Sequence, residues 1–255
     1  MNLTLNIKYN NSAGRLLAIL NAIKQTGNET YMDLFPKVFG NDDEEANNKL
    51  SAIQRLSITF DGIHELQTLY SHVVADIEKS SLAKEQVEVA LRGILSVRGT
   101  INPANLQSKF RPISDAEAAM LEMCAAGLEK FADASDDELE ELRKSAEDLF
   151  ETAKRQDIDE TLQRVILELA RVSRTSIDLY EIRGPDGLRA AFKEMIGELS
   201  EILFTGTSED QKEKIKKSDA WKEVCKHLQR FDMVASKLMQ YKPLLEGGAQ
   251  ILIGS

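Results

Sequence analysis

The sequence predicts an all-α protein, a multi-helix bundle of roughly eight to ten amphipathic helices with a short N-terminal strand or arm. Three observations carry this. Turn formers are scarce, 5 prolines and 14 glycines in 255 residues, so the elements must be long, and long elements are helices. Apolar residues recur every three or four positions, the period of a helix face. Helix-start signals also repeat: Ser114-Asp-Ala-Glu117, Ser135-Asp-Asp-Glu138 and Ser208-Glu-Asp-Gln211 all have capping-box spacing. In that box the serine oxygen accepts an orphan first-turn amide while the Glu or Gln reaches back to the serine's own N–H.

Residues 3–7, Leu-Thr-Leu-Asn-Ile, alternate apolar and polar and give the arm. Ser12 caps a first helix bearing Leu16, Leu17, Ile19, Leu20 and Ile23, with Gly27 as its stop. A short helical stretch follows over 29–39, kept short by Pro36. Acidic residues at 41–45 open the next helix, whose apolar positions from Leu50 to Ile77 make one long element or two joined near Gly62. Ser80 or Ser81 restarts the chain into a helix with Leu82, Val87, Leu91, Ile94 and Leu95. The loop 98–111 divides the halves, giving an N-terminal helical subdomain over 1–100 and a C-terminal one over 101–255, or one continuous domain. Beyond it come the capped helices, with Asp157-Ile-Asp-Glu160 as an aspartate variant of the box. The last large helix runs from Ser218 towards Tyr241 and ends at Pro243. The tail 247–253 is a candidate strand for pairing with the arm.

The formal net charge of −10 repels phosphate backbones, so nucleic acid is not an expected partner. No apolar run of membrane-spanning length occurs, and the start lacks a basic region followed by an apolar stretch, so no secretory signal is expected. Cys124 and Cys225 sit far apart on apolar helix faces, which suits two buried free thiols and a reducing, cytoplasmic setting.

Catalytic constellations are hard to assemble from three histidines, His64, His72 and His227. Asp61 and His64 stand at i, i+3 and Glu223 and His227 at i, i+4, but di-iron bundles need two Glu-x-x-His pairs and further inward glutamates. Helical nucleases of bacterial defence and toxin systems carry Arg, a polar residue and His closer together than Arg55 and His64 stand here. No nucleophile elbow and no phosphate-binding glycine loop is present. The reading is no catalytic residue, no metal and no cofactor, with an enzyme built from dispersed residues left as an alternative.

Charge placement is more informative. Residues 133–160 hold twelve acids and four bases, a net of −8. This is either a solvated helix hairpin or an acidic docking face built on Asp136, Asp137, Glu138, Glu140 and Glu141. Lys212, Lys214, Lys216 and Lys217, with Lys222 and Lys226, are the best place for a phosphate or an acidic partner. Arg164, Arg171 and Arg174 are expected to be solvated and paired.

The most punctuated run is Arg183-Gly184-Pro185-Asp186-Gly187, followed by Arg189. Gly184 in the left-handed conformation closes one helix, Pro185 blocks its continuation, and Asp186 caps the next, giving a joint between two helices. The same glycine amides and arginines also suit an anion, which makes Arg183, Gly184, Asp186, Gly187 and Arg189 a candidate anion site.

With SAGRLL near its start, a plain helical body and no motif, the chain resembles the uncharacterised helical proteins common in bacterial genomes, several of which accompany defence or mobile-element genes. The likeness brings no residue-level roles. The expected function is a non-enzymatic cytoplasmic scaffold or adaptor, one subunit of a multi-protein bacterial system, partnered by another protein or by its own copies. The alternatives are a nuclease-like effector and a small-ligand sensor.

Overall fold

The computed structural model of the chain describes residues 5, 7–26, 29–39, 50–81, 83–155, 158–205 and 208–238. It is all-α, 79% helical, with no strand or sheet among the described residues. Most of the expected arm, the stop at Gly27, the acidic opening at 41–45, Leu82, Asp157 and the tail lie outside the described residues. Contacts divide the chain into two compact units, Met1–Lys130 and Phe131–Ser255.

The first unit begins with α1 (Ser12–Thr26) and α2 (Tyr31–Phe39). Asn11, not Ser12, caps α1: its Oδ1 accepts from Gly14 N at 3.0 Å. The asparagine stands three residues before that amide, the reach a cap needs, and the Ser12 hydroxyl donates to Asp76 Oδ2 at 2.5 Å instead. Pro36 lies inside α2 and removes one helical bond, and α2 ends within a turn of it.

Next comes α3 (Ala52–Lys79), 28 residues without a break. Ser51 and Gln54 form a capping box at its start, so Leu50 precedes the helix rather than belonging to its face. Gly62 is not a joint: a Cβ there would stand 2.6 Å from the rings of both Phe35 and Phe39, so the glycine lets α2 lie close against α3. Ser80 closes α3 rather than opening its successor, its hydroxyl donating to Ile77 O at 2.6 Å.

Then follow α4 (Lys84–Ile94), α5 (Val97–Ile101) and α6 (Asp115–Gly127), the last opened by the expected Ser114–Glu117 box. α1 packs on α3 and α6, and α4 on both as well, burying Leu16, Leu20, Leu66, Val73, Ile77 and Leu121. The loop where the sequence places a division between halves is tied into this unit. Thr30 and Lys109 form an antiparallel bridge, and Phe110 N donates to Glu29 O at 2.8 Å.

The second unit comprises α7 (Asp136–Ala153), α8 (Glu160–Asp178), α9 (Tyr180–Thr205), α10 (Glu209–Lys217) and α11 (Asp219–Leu238). Ser135 and Glu138 box the start of α7 as expected. Asp159, two residues later than expected, caps α8 by accepting from Thr161 N at 2.9 Å and Leu162 N at 3.3 Å. α7 and α8 run antiparallel, α9 returns along α8, and α11 packs on α7 and α9. Leu142, Leu149, Ile166, Leu169, Leu188, Met195, Val224, Leu228 and Phe231 form one core. Burying each large apolar side chain contributes about 1.5–3 kcal/mol.

The predicted joint is where α9 folds back. α8 stops at Asp178, one further turn carries Tyr180 to Arg183, and Gly184 breaks the helix at φ 61° and ψ −158°. This is a correction: the glycine adopts the extended positive-φ region, open essentially to glycine alone, rather than the left-handed helical one. Pro185 therefore occupies the first position of the returning helix, where its missing N–H is harmless. Asp186 falls in the first turn and the cap position passes to Gly184.

Candidate functional site

The joint residues do come together. Gly184, Pro185 and Gly187 are buried, while Arg183, Asp186 and Arg189 are half-buried. A Cβ on Gly187 would meet Arg183 Cβ at 2.4 Å and Cδ at 3.3 Å. The aliphatic stem of Arg183 thus lies directly on the Gly187 backbone. This explains an arginine on the apolar side of its helix: the stem is the packing unit.

The acidic face of α7 is partly spent on its own fold. Asp136, Asp137 and Glu138 fill the first turn, where the helix dipole favours carboxylates. Glu138 accepts from Ser135 N at 2.9 Å and from Lys237 Nζ at 2.5 Å; the lysine bond holds its carboxyl below the usual range. Glu140 pairs with Arg143 at 2.8 Å, and Glu141 is exposed. Across the unit, Lys214, Lys216 and Lys217 are exposed on α10, with Lys217 paired to Glu213 at 2.7 Å.

The histidines separate sharply. His64 and His72 are exposed on α3, while His227 is 1% exposed in the second core. Rather than joining Glu223 about a metal, His227 places Nε2 2.7 Å from Ser173 Oγ and Nδ1 3.0 Å from Ser145 Oγ. Burial pushes its pKa down to about 4. A nucleophilic serine needs a base near neutral pKa that substrate can reach; this imidazole is neutral, enclosed and a weak base. Its work is structural. Among the described residues no three His, Cys, Asp or Glu side chains gather as metal ligands, and no helix is long and apolar enough to cross a membrane.

A groove on the outer face of the α7–α8 hairpin has the make-up of a docking surface. It encloses about 650 Å³. Phe150, 47% exposed, and Leu167, 40% exposed, provide its large apolar surface, with Ala146 and Ala170 beneath. Along it stand the cations Arg143, Lys144, Arg171 and Arg174 and the acids Glu147, Asp148 and Glu151. Arg171 is held bidentately by Glu168 and Arg174 lies 3.7 Å from Asp178, the paired state the sequence predicts. The arginine hydrogen bond keeps Glu168 acidic.

No sequence motif marks Phe150 or Leu167 as a site residue. The signal lies in the spacing. Phe150 adjoins Leu149 and so falls off the 142–146–149–153 stripe, and Leu167 likewise falls off the stripe of 162, 165, 166 and 169. Two antiparallel helices each carry one large apolar residue outside the stripe that the core needs. Comparison with known proteins adds no identification: no protein-family model matches the chain, no curated protein matches it, and no solved structure matches it.

Proposed function

We propose that the protein is a non-enzymatic helical adaptor, one subunit of a multi-protein bacterial system, and that it holds a helix of a partner protein in the α7–α8 groove. The observation that carries this is the pair Phe150 and Leu167, large apolar side chains half open to solvent on the floor of one groove. Core-facing positions of the same helices are filled elsewhere, so the pair serves no internal packing. The groove's charges suit one kind of guest: a helix with an apolar face, acidic residues near Arg143, Lys144 and Arg174, and basic residues near Glu147, Asp148 and Glu151. Lys144 makes no ion pair among the described residues and is ready for that role. The bacterial, defence-associated setting follows the general style of the sequence.

Native purification with a photo-crosslinking residue in place of Leu167 tests this. A stoichiometric companion protein should cross-link, and the crosslinked peptide should be an amphipathic helix of the stated charge order. Phe150→Glu with Leu167→Glu should abolish co-purification while circular dichroism and melting temperature stay unchanged, since both residues are half exposed. Full retention of the companion by that double variant overturns the groove, and recovery of the protein alone overturns the adaptor reading.

A further inference from the structure

The segment that follows α11 carries apolar residues in need of a surface. Residues 239–255 hold Leu244, Leu245, Ile251, Leu252 and Ile253 but only two charges, Lys242 and Glu246, in a chain that is 29% charged. Such a composition favours contact with apolar surface over water. The place where the segment starts is fixed by the second unit. Leu238 O, at the end of α11, accepts from Ala132 N at 3.1 Å, and the neighbouring Lys237 Nζ lies 2.5 Å from Glu138 Oε1. The segment therefore leaves α11 beside the first turn of α7. From Glu138 to Phe150 the helix rises by about 18 Å, and crossing α7 to its outer face adds about 10 Å, one helix diameter. Thirteen residues lead from Leu238 to Ile251 and span up to about 43 Å when extended, so Ile251 reaches the outer face with slack. Three large apolar side chains are exposed among the described residues of this unit, Phe150, Leu167 and Met233, and of these Phe150 and Leu167 share the α7–α8 groove.

We propose that residues 239–253 form a strap across the α7–α8 groove, with Ile251, Leu252 and Ile253 against Phe150 and Leu167. Charge agrees with this occupant. Glu246 stands five residues before Ile251 and Lys144 six residues before Phe150, so the carboxylate comes within reach of the Lys144 ammonium. The strap covers the surface assigned above to a partner helix, and a partner must displace it. Tethering holds the strap at an effective concentration of about 1 mM. With an intrinsic affinity of about 0.1 mM it fills the groove about nine-tenths of the time and weakens a guest about tenfold. Occupation of the groove by the strap rests on the groove alone, whereas its regulatory meaning rests on the adaptor reading.

The full chain, purified alone and carrying a photo-crosslinking residue in place of Leu252, tests this. Irradiation should join that position to the α7 and α8 peptides that contain Phe150 and Leu167. In a mixture with an isotopically labelled copy, the cross-links should stay within one chain. Phe150→Glu with Leu167→Glu should lower the cross-linked fraction about tenfold, whereas Met233→Glu, exposed but outside the groove lining, should leave it unchanged. In the full chain, Ile251→Asp with Ile253→Asp should tighten binding of the companion protein about tenfold. Three results overturn the strap: cross-links to another surface, cross-links between labelled and unlabelled copies, or a yield that the groove double variant leaves intact. The two readings fail separately. A strap cross-linked in the groove of a protein with no companion removes the adaptor and keeps the strap, and a companion held by a groove that position 252 never touches does the reverse.

Discussion

His227 Nε2 lies 2.7 Å from Ser173 Oγ while its Nδ1 lies 3.0 Å from Ser145 Oγ, so one imidazole joins α11 to α8 and α7. The tautomer that uses every donor has Nε2–H donating to Ser173, Ser173 donating onward to Met195 Sδ at 3.1 Å, and Ser145 donating to Nδ1. A proton added to this ring would need a second acceptor that the serines cannot supply without reorienting.

Folding therefore disfavours the protonated ring. The folded pKa, about 4, lies below the ordinary 6.5, so the unfolded chain binds more protons between these values and stability falls as pH falls through them. Between about pH 6.5 and pH 5, above the range where carboxylates titrate, the shift amounts to about 2 kcal/mol. Urea unfolding across this window should show that loss, and His227→Phe should flatten the profile while lowering stability at neutral pH by about 1–3 kcal/mol. An equally steep profile in the variant would remove His227 as its source.

The cysteines give a second measurement. Both are free and buried, and burial pushes the Cys225 thiol up to about 11 and raises Cys124 above its ordinary value. The thiolate is the reactive form, so the native chain at pH 8 should resist a chromogenic disulfide reagent that labels both thiols at once in urea. Rapid labelling of either thiol in the folded protein would contradict the packing of its helix.

The fold was legible because amphipathic period and capping chemistry are local. Ser114 and Ser135 act as the spacing says, and the break at Gly184 follows from Gly-Pro in any context. What was not legible depends on the partner surface. Gly62 reads as a joint until the rings of Phe35 and Phe39 are seen upon it. Arg15 carries no sequence signal of burial, yet it is 1% exposed and bonds Asn10 Oδ1 through Nε at 3.0 Å. His227 belongs to a helix face where only the serines of α7 and α8, far away in sequence, decide its role. The α7–α8 groove was half visible, since an off-stripe apolar residue can be counted, but that two of them share one groove is a tertiary fact.

At the joint, the backbone makes the prediction. Gly184→Ala forces a Cβ into φ 61°, ψ −158°, a conformation that costs about 1–3 kcal/mol. Gly187→Ala is sterically opposed instead, by Arg183 Cβ at 2.4 Å, and should destabilise by about 1–3 kcal/mol through displaced packing. Because both changes push on the same turn, their effects should fall short of additivity. Denaturant unfolding of the two single variants and the double variant measures this, and strict additivity would mean that the two glycines act independently.

Two helical glycines, Gly62 and Gly197, lie in opposite surroundings. Gly62 is buried under Phe35 and Phe39, each with a ring carbon 2.6 Å from where a Cβ would lie, whereas Gly197 in α9 is exposed with nothing within 4 Å. Helix propensity alone favours alanine over glycine at both positions by about 0.5–1 kcal/mol. At Gly197 nothing opposes that gain, so Gly197→Ala should raise stability by this amount. At Gly62 the methyl must displace two stacked rings, whose centroids lie 5.2 Å apart, and prise α2 away from α3. Overpacking of this kind costs about 1–3 kcal/mol, which exceeds the propensity gain, so Gly62→Ala should lower stability. Thermal unfolding of the two variants should therefore move in opposite directions. A shift of the same sign in both would mean that Gly62 is tolerated for its flexibility, and that α2 does not rest on α3 through this contact.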